Sequence, residues 1–166
     1  KRCEEFAKTN HWYLMGDYPY RGEGEKSIGF EIADQMNWVV PSYVLTPMGN
    51  GTLIYSIWDA FQELQALELT DKLPKVVGFQ AKGCSPIVNA YKENLTMVGS
   101  VDNPKTIATA IECGDPLDGK KALNALRRSR GFAEIVTDNE ILDAQKFLAQ
   151  EEGLFVEPSG AVSVAG

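Results

Sequence analysis

Apolar positions along the chain change their period several times, and each change marks a new element. The opening stretch, with Phe6 and Ala7 among lysines and glutamates, reads as helix. Residues 27–36 carry Ile28, Phe30, Ile32 and Met36 at mixed helical spacings, with Glu31 and Asp34 on the other side. Tyr43-Val44-Leu45-Thr46 is a short β-prone run ended by Pro47, and Gly49-Asn50-Gly51 leads into an amphipathic helix over residues 53–67. Val76-Val77-Gly78-Phe79-Gln80 is a second strand, buried on both faces. A short helix over residues 83–91 follows, in which Pro86 is tolerated only within the first turn. Residues 94–109 have no period and contain Pro104, so they read as a loop of the length that functional loops have. Residues 119–130 are helical and Gly131 stops them, after which Ala133-Glu134-Ile135-Val136 is a strand. Thr137-Asp138-Asn139-Glu140 is a capping box, opening a helix to about Glu152 with Ile141, Leu142, Ala144, Phe147 and Leu148 inward. Gly153 ends that helix, Leu154-Phe155-Val156 predicts a final strand, and Ser159 is placed to cap a last helix.

Strands and helices alternating at this spacing predict an α/β fold, a parallel sheet flanked by helices, with residues 1–166 forming part of one domain. Both ends read as cut, since the chain opens on Lys1 within a helical pattern and stops two turns into another.

Composition narrows the function. Sixteen basic against 23 acidic residues give a formal charge of −7, which opposes binding to nucleic acid or to an anionic membrane surface. No apolar run approaches the roughly 20 residues that cross a bilayer. Three scattered cysteines without a Cys-x-x-Cys pair argue against a disulfide framework and a metal site, and point to a cytoplasmic protein. The one histidine, His11, has no nucleophile elbow to serve.

Chemistry gathers at Pro47-Met48-Gly49-Asn50-Gly51-Thr52, a glycine-containing turn from strand to helix. Glycines let such a turn fold tightly, and the following helix start aims several N–H groups at one spot, an arrangement that binds phosphate. It is neither a Walker A loop nor a complete dinucleotide fingerprint, because no Gly-Lys-Ser/Thr follows and Ser56 stands where a further glycine belongs.

Taken with three other stretches, the loop resembles the threonine synthase family, fold-type II enzymes that depend on pyridoxal 5'-phosphate. Tyr20-Arg21-Gly22-Glu23-Gly24-Glu25-Lys26-Ser27 is similar to the family's Arg-x-x-Gly-x-Lys-Thr segment. Val77-Gly78-Phe79-Gln80-Ala81-Lys82-Gly83-Cys84-Ser85-Pro86 resembles the strand and helix after its phosphate-loop helix. The third stretch is a block running from Ala108-Thr109-Ala110-Ile111 and Gly114-Asp115-Pro116, through Val136-Thr137-Asp138-Asn139-Glu140, to Glu157-Pro158-Ser159-Gly160-Ala161.

The resemblance implies part of the large domain of a tryptophan synthase beta-like enzyme. It implies that Gly49, Asn50, Gly51, Thr52 and Leu53 hold the cofactor phosphate, and that Asn50 and Arg21 meet the phosphate of a small amino-acid substrate. Lys26 would tie its segment down, Thr109 and Asp115 would border a loop facing the substrate, and Glu157 and Ser159 would border the cofactor ring. On that footing Gly51→Val weakens cofactor binding while the fold survives.

The implied reaction of the whole enzyme converts O-phosphohomoserine and water to threonine and phosphate, a lyase step of threonine biosynthesis. The family's Schiff-base lysine motif, its carboxylate-gripping loop and its ring-nitrogen segment do not occur in this sequence, so the resemblance implies no catalytic lysine here and an inactive fragment. Met15-Gly16 replaces a polar pair, and an acidic Asp17 beside a phosphate site is unfavourable, which leaves threonine dehydratases and cysteate synthases open. A non-catalytic module that binds a phosphorylated ligand is the reading from another class. A homodimer is compatible with all of these.

Overall fold

In the computed structural model, which describes residues 2–13 and 19–166, three parallel strands lie in the order β1 (Tyr43–Pro47), β2 (Lys75–Ala81), β3 (Phe132–Val136). Strand β2 is central and buried from Val76 onward, so its pattern is a continuous apolar run rather than an alternation. Its two faces nevertheless serve different layers. Val76 packs with Ile54, Trp58, Ile87, Leu123 and Leu126 beneath helices α3 (Thr52–Ala66), α4 (Pro86–Lys92) and α5 (Gly119–Arg128). Val77, Phe79 and Ala81 face the other way, against Ile141, Ala144, Ala161 and Val162 of α6 (Asp138–Glu151) and α7 (Pro158–Ala165).

Outside α3 lies α2 (Pro19–Gln35), which buries Ala33 against Ile57, Phe61 and Leu64. Helix α1 (Arg2–Thr9) precedes it. The α2–α3 approach is close because two glycines form the seam. A Cβ on Gly29 would stand 2.6 Å from that of Ala60, and one on Gly22 would collide with the Tyr55 hydroxyl. Lys26, buried in the same seam, bonds Glu23 Oε2 and Glu63 Oε1, each at 2.6 Å. Those two hydrogen bonds push its amine up to about 12. Lys26 thus ties α2 to α3, in the structural role expected for it.

The helix start differs from the sequence pattern. Helix α2 begins at Pro19 and takes in the whole stretch from Tyr20 to Ser27. Leu154-Phe155-Val156 is not a strand. Leu154 donates its N–H to Leu148 O, and Val156 O accepts from the Gln145 side chain, so the segment is bound to α6 and is not part of the three-stranded sheet. Apolar β-prone residues need a ladder partner before they form a strand. Ser159 is not the cap of α7 either: Glu157 is, and Pro158, whose fixed φ suits a first helical position, places Ser159 inside the helix. The capping box at Thr137 is present as expected, with Thr137 Oγ1 accepting from Glu140 N and the Glu140 carboxylate accepting from Thr137 N. Met15, Gly16, Asp17 and Tyr18 lie outside the described residues.

One buried side chain joins the layers at the level of the strand ends. Gln80, fully buried on β2, donates from Nε2 to Met48 O at 3.1 Å and accepts at Oε1 from Ile87 N and Val88 N at 2.8 and 3.0 Å. Pro86 has no N–H to offer, so the first free donors of α4 are these two, and Gln80 caps them from another strand. Gln80→Leu would leave all three groups buried without partners. We expect a loss of about 3–5 kcal/mol, read from urea denaturation followed by circular dichroism.

Candidate functional site

The turn Met48–Gly51 leaves the carboxyl end of β1 and enters α3, at the edge of the sheet where open α/β folds bind ligands. Met48 is pinned on both sides of its peptide: its N–H donates to Phe79 O at 2.9 Å and its carbonyl accepts from Gln80. Gly51 is the N-cap of α3, in the left-handed region at φ 88°, and no side chain caps the helix there. The first-turn N–H groups of a 15-residue helix therefore point out of its end with no partner inside the helix.

Residues 113–118 wrap the turn from the far side. Asn50 Oδ1 accepts from Cys113 Sγ at 2.9 Å and from Leu117 N at 3.4 Å, while Asn50 O accepts from Asp118 N at 3.2 Å. Thr52 Oγ1 donates to Asp118 Oδ2 at 2.8 Å, and Asp118 in turn pairs with Lys121 at 3.1 Å. Lys121 is raised: burial alone would lower it, but hydrogen bonds with Asp118 and Tyr55 outweigh that.

These contacts shape a cleft of about 410 Å³ lined by Gly49, Asn50, Gly51, Thr52 and Leu53, with Arg21 opposite. The six residues expected to meet a phosphate thus line one space. Arg21 lies on the exposed side of α2, where its Nε donates to Glu25 Oε1 at 2.7 Å. Glu25 lines the cleft too, so the two ionised side chains of the described lining carry opposite charges. Attraction for an anion then rests on the helix end, with Arg21 as the adjustable cation.

Ala110 and Ile111, within a short 3-10 turn at Thr109–Ile111, form a further wall with Cys113. Thr109 and Asp115 are exposed and do not line it. Ser159, buried at the start of α7, accepts from Ala110 N at 3.2 Å and so braces this wall without entering the cleft. Cys113 and Asp118 carry no periodic or motif signal, and Glu25 occupies an unspecified position of its motif, so sequence reasoning assigned none of them a role; only the fold brings them to the loop.

Gly49 and Gly51 are small for different reasons. A Cβ on Gly49 would lie 3.2 Å from Ile111 Cα and crowd the cleft wall. One on Gly51 would meet Ala122 Cβ at 2.8 Å and Asp118 O at 3.2 Å, inside the α3–α5 packing. Survival of the fold in Gly51→Val does not suit this geometry, because the side chain would wedge α5 away at a left-handed position. Gly51→Val should destabilise the protein by about 2–4 kcal/mol, measured by thermal and urea unfolding. Wild-type stability would mean that α5 yields freely.

Comparison with known proteins shows the family and the fold. The family described as pyridoxal-phosphate dependent enzyme matches residues 1–166. A threonine synthase of Methanocaldococcus jannaschii is 48% identical over 164 residues, 98% of this chain and 40% of its own length. One of Methanosarcina acetivorans is 52% identical over 155 residues, 93% of this chain and 38% of its own. The chain spans about two fifths of the length of these curated relatives. Among solved structures, the processed form of threonine deaminase isoform 2 from Solanum lycopersicum superposes with a TM-score of 0.75 at 22% identity, covering 98% of this chain and 45% of that one. Maize serine racemase gives 0.77 at 19% identity, covering 98% and 48%. These two likenesses speak for the fold.

Proposed function

The chain belongs to the pyridoxal-phosphate dependent enzymes, and from that premise we propose that it forms the phosphate-binding part of a threonine synthase. The whole protein would convert O-phosphohomoserine and water to threonine and phosphate. The observation that carries this reading is the cleft itself: an uncapped helix end, a left-handed glycine and an arginine around one space.

Pyridoxal 5'-phosphate is the cofactor, and three features support a fit to its phosphate. The helix start supplies N–H donors, Gly49 leaves the approach open, and no residue of the turn bears a negative charge. In this reading Gly49, Asn50, Gly51, Thr52 and Leu53 hold the cofactor phosphate, and Arg21 with Asn50 faces that of the substrate. When bound, the cofactor supplies an electron sink for carbanion chemistry, while the protein binds and orients. Glu25 aligns the Arg21 guanidinium across the cleft, and the Ile111 wall shields the turn from water. Among the described residues no helix is long and apolar enough to cross a membrane.

Arg21→Ala in the full-length enzyme should weaken the interaction with a phosphorylated substrate by about 1.5–3 kcal/mol. Steady-state kinetics with O-phosphohomoserine would read this as a raised KM, with the cofactor spectrum unchanged. Wild-type constants would reduce Arg21 to a surface residue.

Residues 1–166 alone should be inactive. Among the described residues no lysine lines the cleft. Lys26 and Lys121 are both raised by their partners, so each is a protonated amine and a poor nucleophile at neutral pH, and Lys92 is held by Glu134. Mixing the fragment with pyridoxal phosphate, reducing with borohydride and mapping adducts by mass spectrometry should give scattered substoichiometric labelling. One stoichiometric lysine adduct with threonine release would falsify the assignment.

A further inference from the structure

We infer that Asp118 and Lys121 are positioning residues for the cofactor phosphate: Asp118 fixes the first residue of α3, and Lys121 cancels the negative charge that this fixing places behind the turn. This rests on the functional reading above and deepens it.

Two requirements conflict at the start of α3. An anion in the cleft depends on the N–H groups there, and a carboxylate beside the same helix end repels that anion. The fold nevertheless puts one there. Thr52, the first residue of α3 and only 2% exposed, donates from Oγ1 to Asp118 Oδ2 at 2.8 Å. Asp118 is itself the N-cap of α5, yet its side chain caps nothing in its own helix. An aspartate at that position ordinarily accepts from the first turn of its own helix, so here the carboxylate is diverted to Thr52. Its main chain grips the turn as well, since Asp118 N donates to Asn50 O at 3.2 Å. The starts of α3 and α5 are fastened together through this one residue.

The charge that comes with the fastening needs an answer. The Asp118 side chain is 18% exposed, so water alone screens it poorly. Lys121, three residues on along α5, places Nζ 3.1 Å from Asp118 Oδ1, the oxygen that Thr52 leaves open. Helix α3 holds that amine in place: Nζ donates to the Tyr55 hydroxyl at 3.2 Å and lies 4.5 Å from the centre of the Tyr55 ring. With both carboxylate oxygens engaged, a phosphate meets the N–H groups of α3 with a neutral pair behind them. Without the lysine, the same phosphate meets an unbalanced negative charge.

The test measures binding rather than turnover, by titrating the full-length apoenzyme with pyridoxal phosphate at low salt. Lys121→Met should raise Kd by about three- to tenfold, the range for one charge beside a helix end. Lys121→Arg keeps the charge and should stay within about twofold of the parent. Asp118→Asn keeps an acceptor for Thr52 and should bind at least as tightly as the parent. The double variant Lys121→Met with Asp118→Asn separates charge from packing. If charge is the cause, removing the carboxylate returns Kd to within about twofold of the parent, whereas lost packing leaves the double variant as weak as Lys121→Met. An unchanged Kd in Lys121→Met, or a double variant no tighter than that single one, would overturn the role. If Lys121→Met does not fold, Lys121→Gln removes the charge while keeping a donor and decides in the same way. Should the parent apoenzyme take up no pyridoxal phosphate, the cofactor reading of the cleft fails. Calorimetric titration with inorganic phosphate then judges the pair separately: the same order of affinities upholds its role, and any other result overturns it.

Discussion

The Gln80 carboxamide sets where the rest of the site can stand. It sits on the central strand with no access to water, and every hydrogen bond it makes runs to another element. One bond holds the last residue before the glycine turn, and two hold the first donors of α4. A buried amide with all partners in place is rigid, because any shift of the turn or of α4 would strand a polar group in a low-dielectric core. The height of the turn above the sheet, and hence the direction in which α3 points its free N–H groups, is tied to β2 through this one side chain.

The second constraint acts from the side. The segment from Cys113 to Asp118 takes hold of Asn50 and Thr52, and Ala122 presses on Gly51. The turn is therefore held between β2 on one side and the start of α5 on the other, with Gly51 at a left-handed φ where the two meet. Preformed donors of this kind lose little entropy when an anion arrives. Charge contributes less than geometry here, since Arg21 faces the cleft together with its partner Glu25. The helix α2 that carries both is kept close to α3 by the Gly22 and Gly29 seam and by the Lys26 bridges.

The far wall links the cleft to the last helix. Ser159, buried in the first turn of α7, accepts the N–H of Ala110, and Ile111 crowds Gly49. The last helix thus supports a wall that begins some fifty residues earlier in the chain. The chain belongs to the pyridoxal-phosphate dependent enzymes, whose cofactor carries a phosphate beside its reactive ring.

Much of the fold was legible from order alone. Local signals suffice where an element's own residues satisfy its hydrogen bonds or its burial: the Thr137 capping box, the apolar run at Val76, the glycine stop after α5. The loop residues and Arg21 were legible as well, because a glycine turn before an amphipathic helix and an arginine-bearing motif stand in the sequence itself. What failed locally failed for want of a partner. Leu154-Phe155-Val156 has the composition of a strand, but its hydrogen bonds go to α6. Ser159 has the chemistry of a cap, but Pro158 takes the first helical position ahead of it. Glycines at 22 and 29 look like breaks in a helix, yet they are its points of closest approach to α3. Only tertiary structure decides that Glu25 and Cys113 share a cleft with Asn50 and that Asp118 bonds Thr52 behind it, since contacts between residues far apart in the chain are set by packing of the layers and leave no period in it.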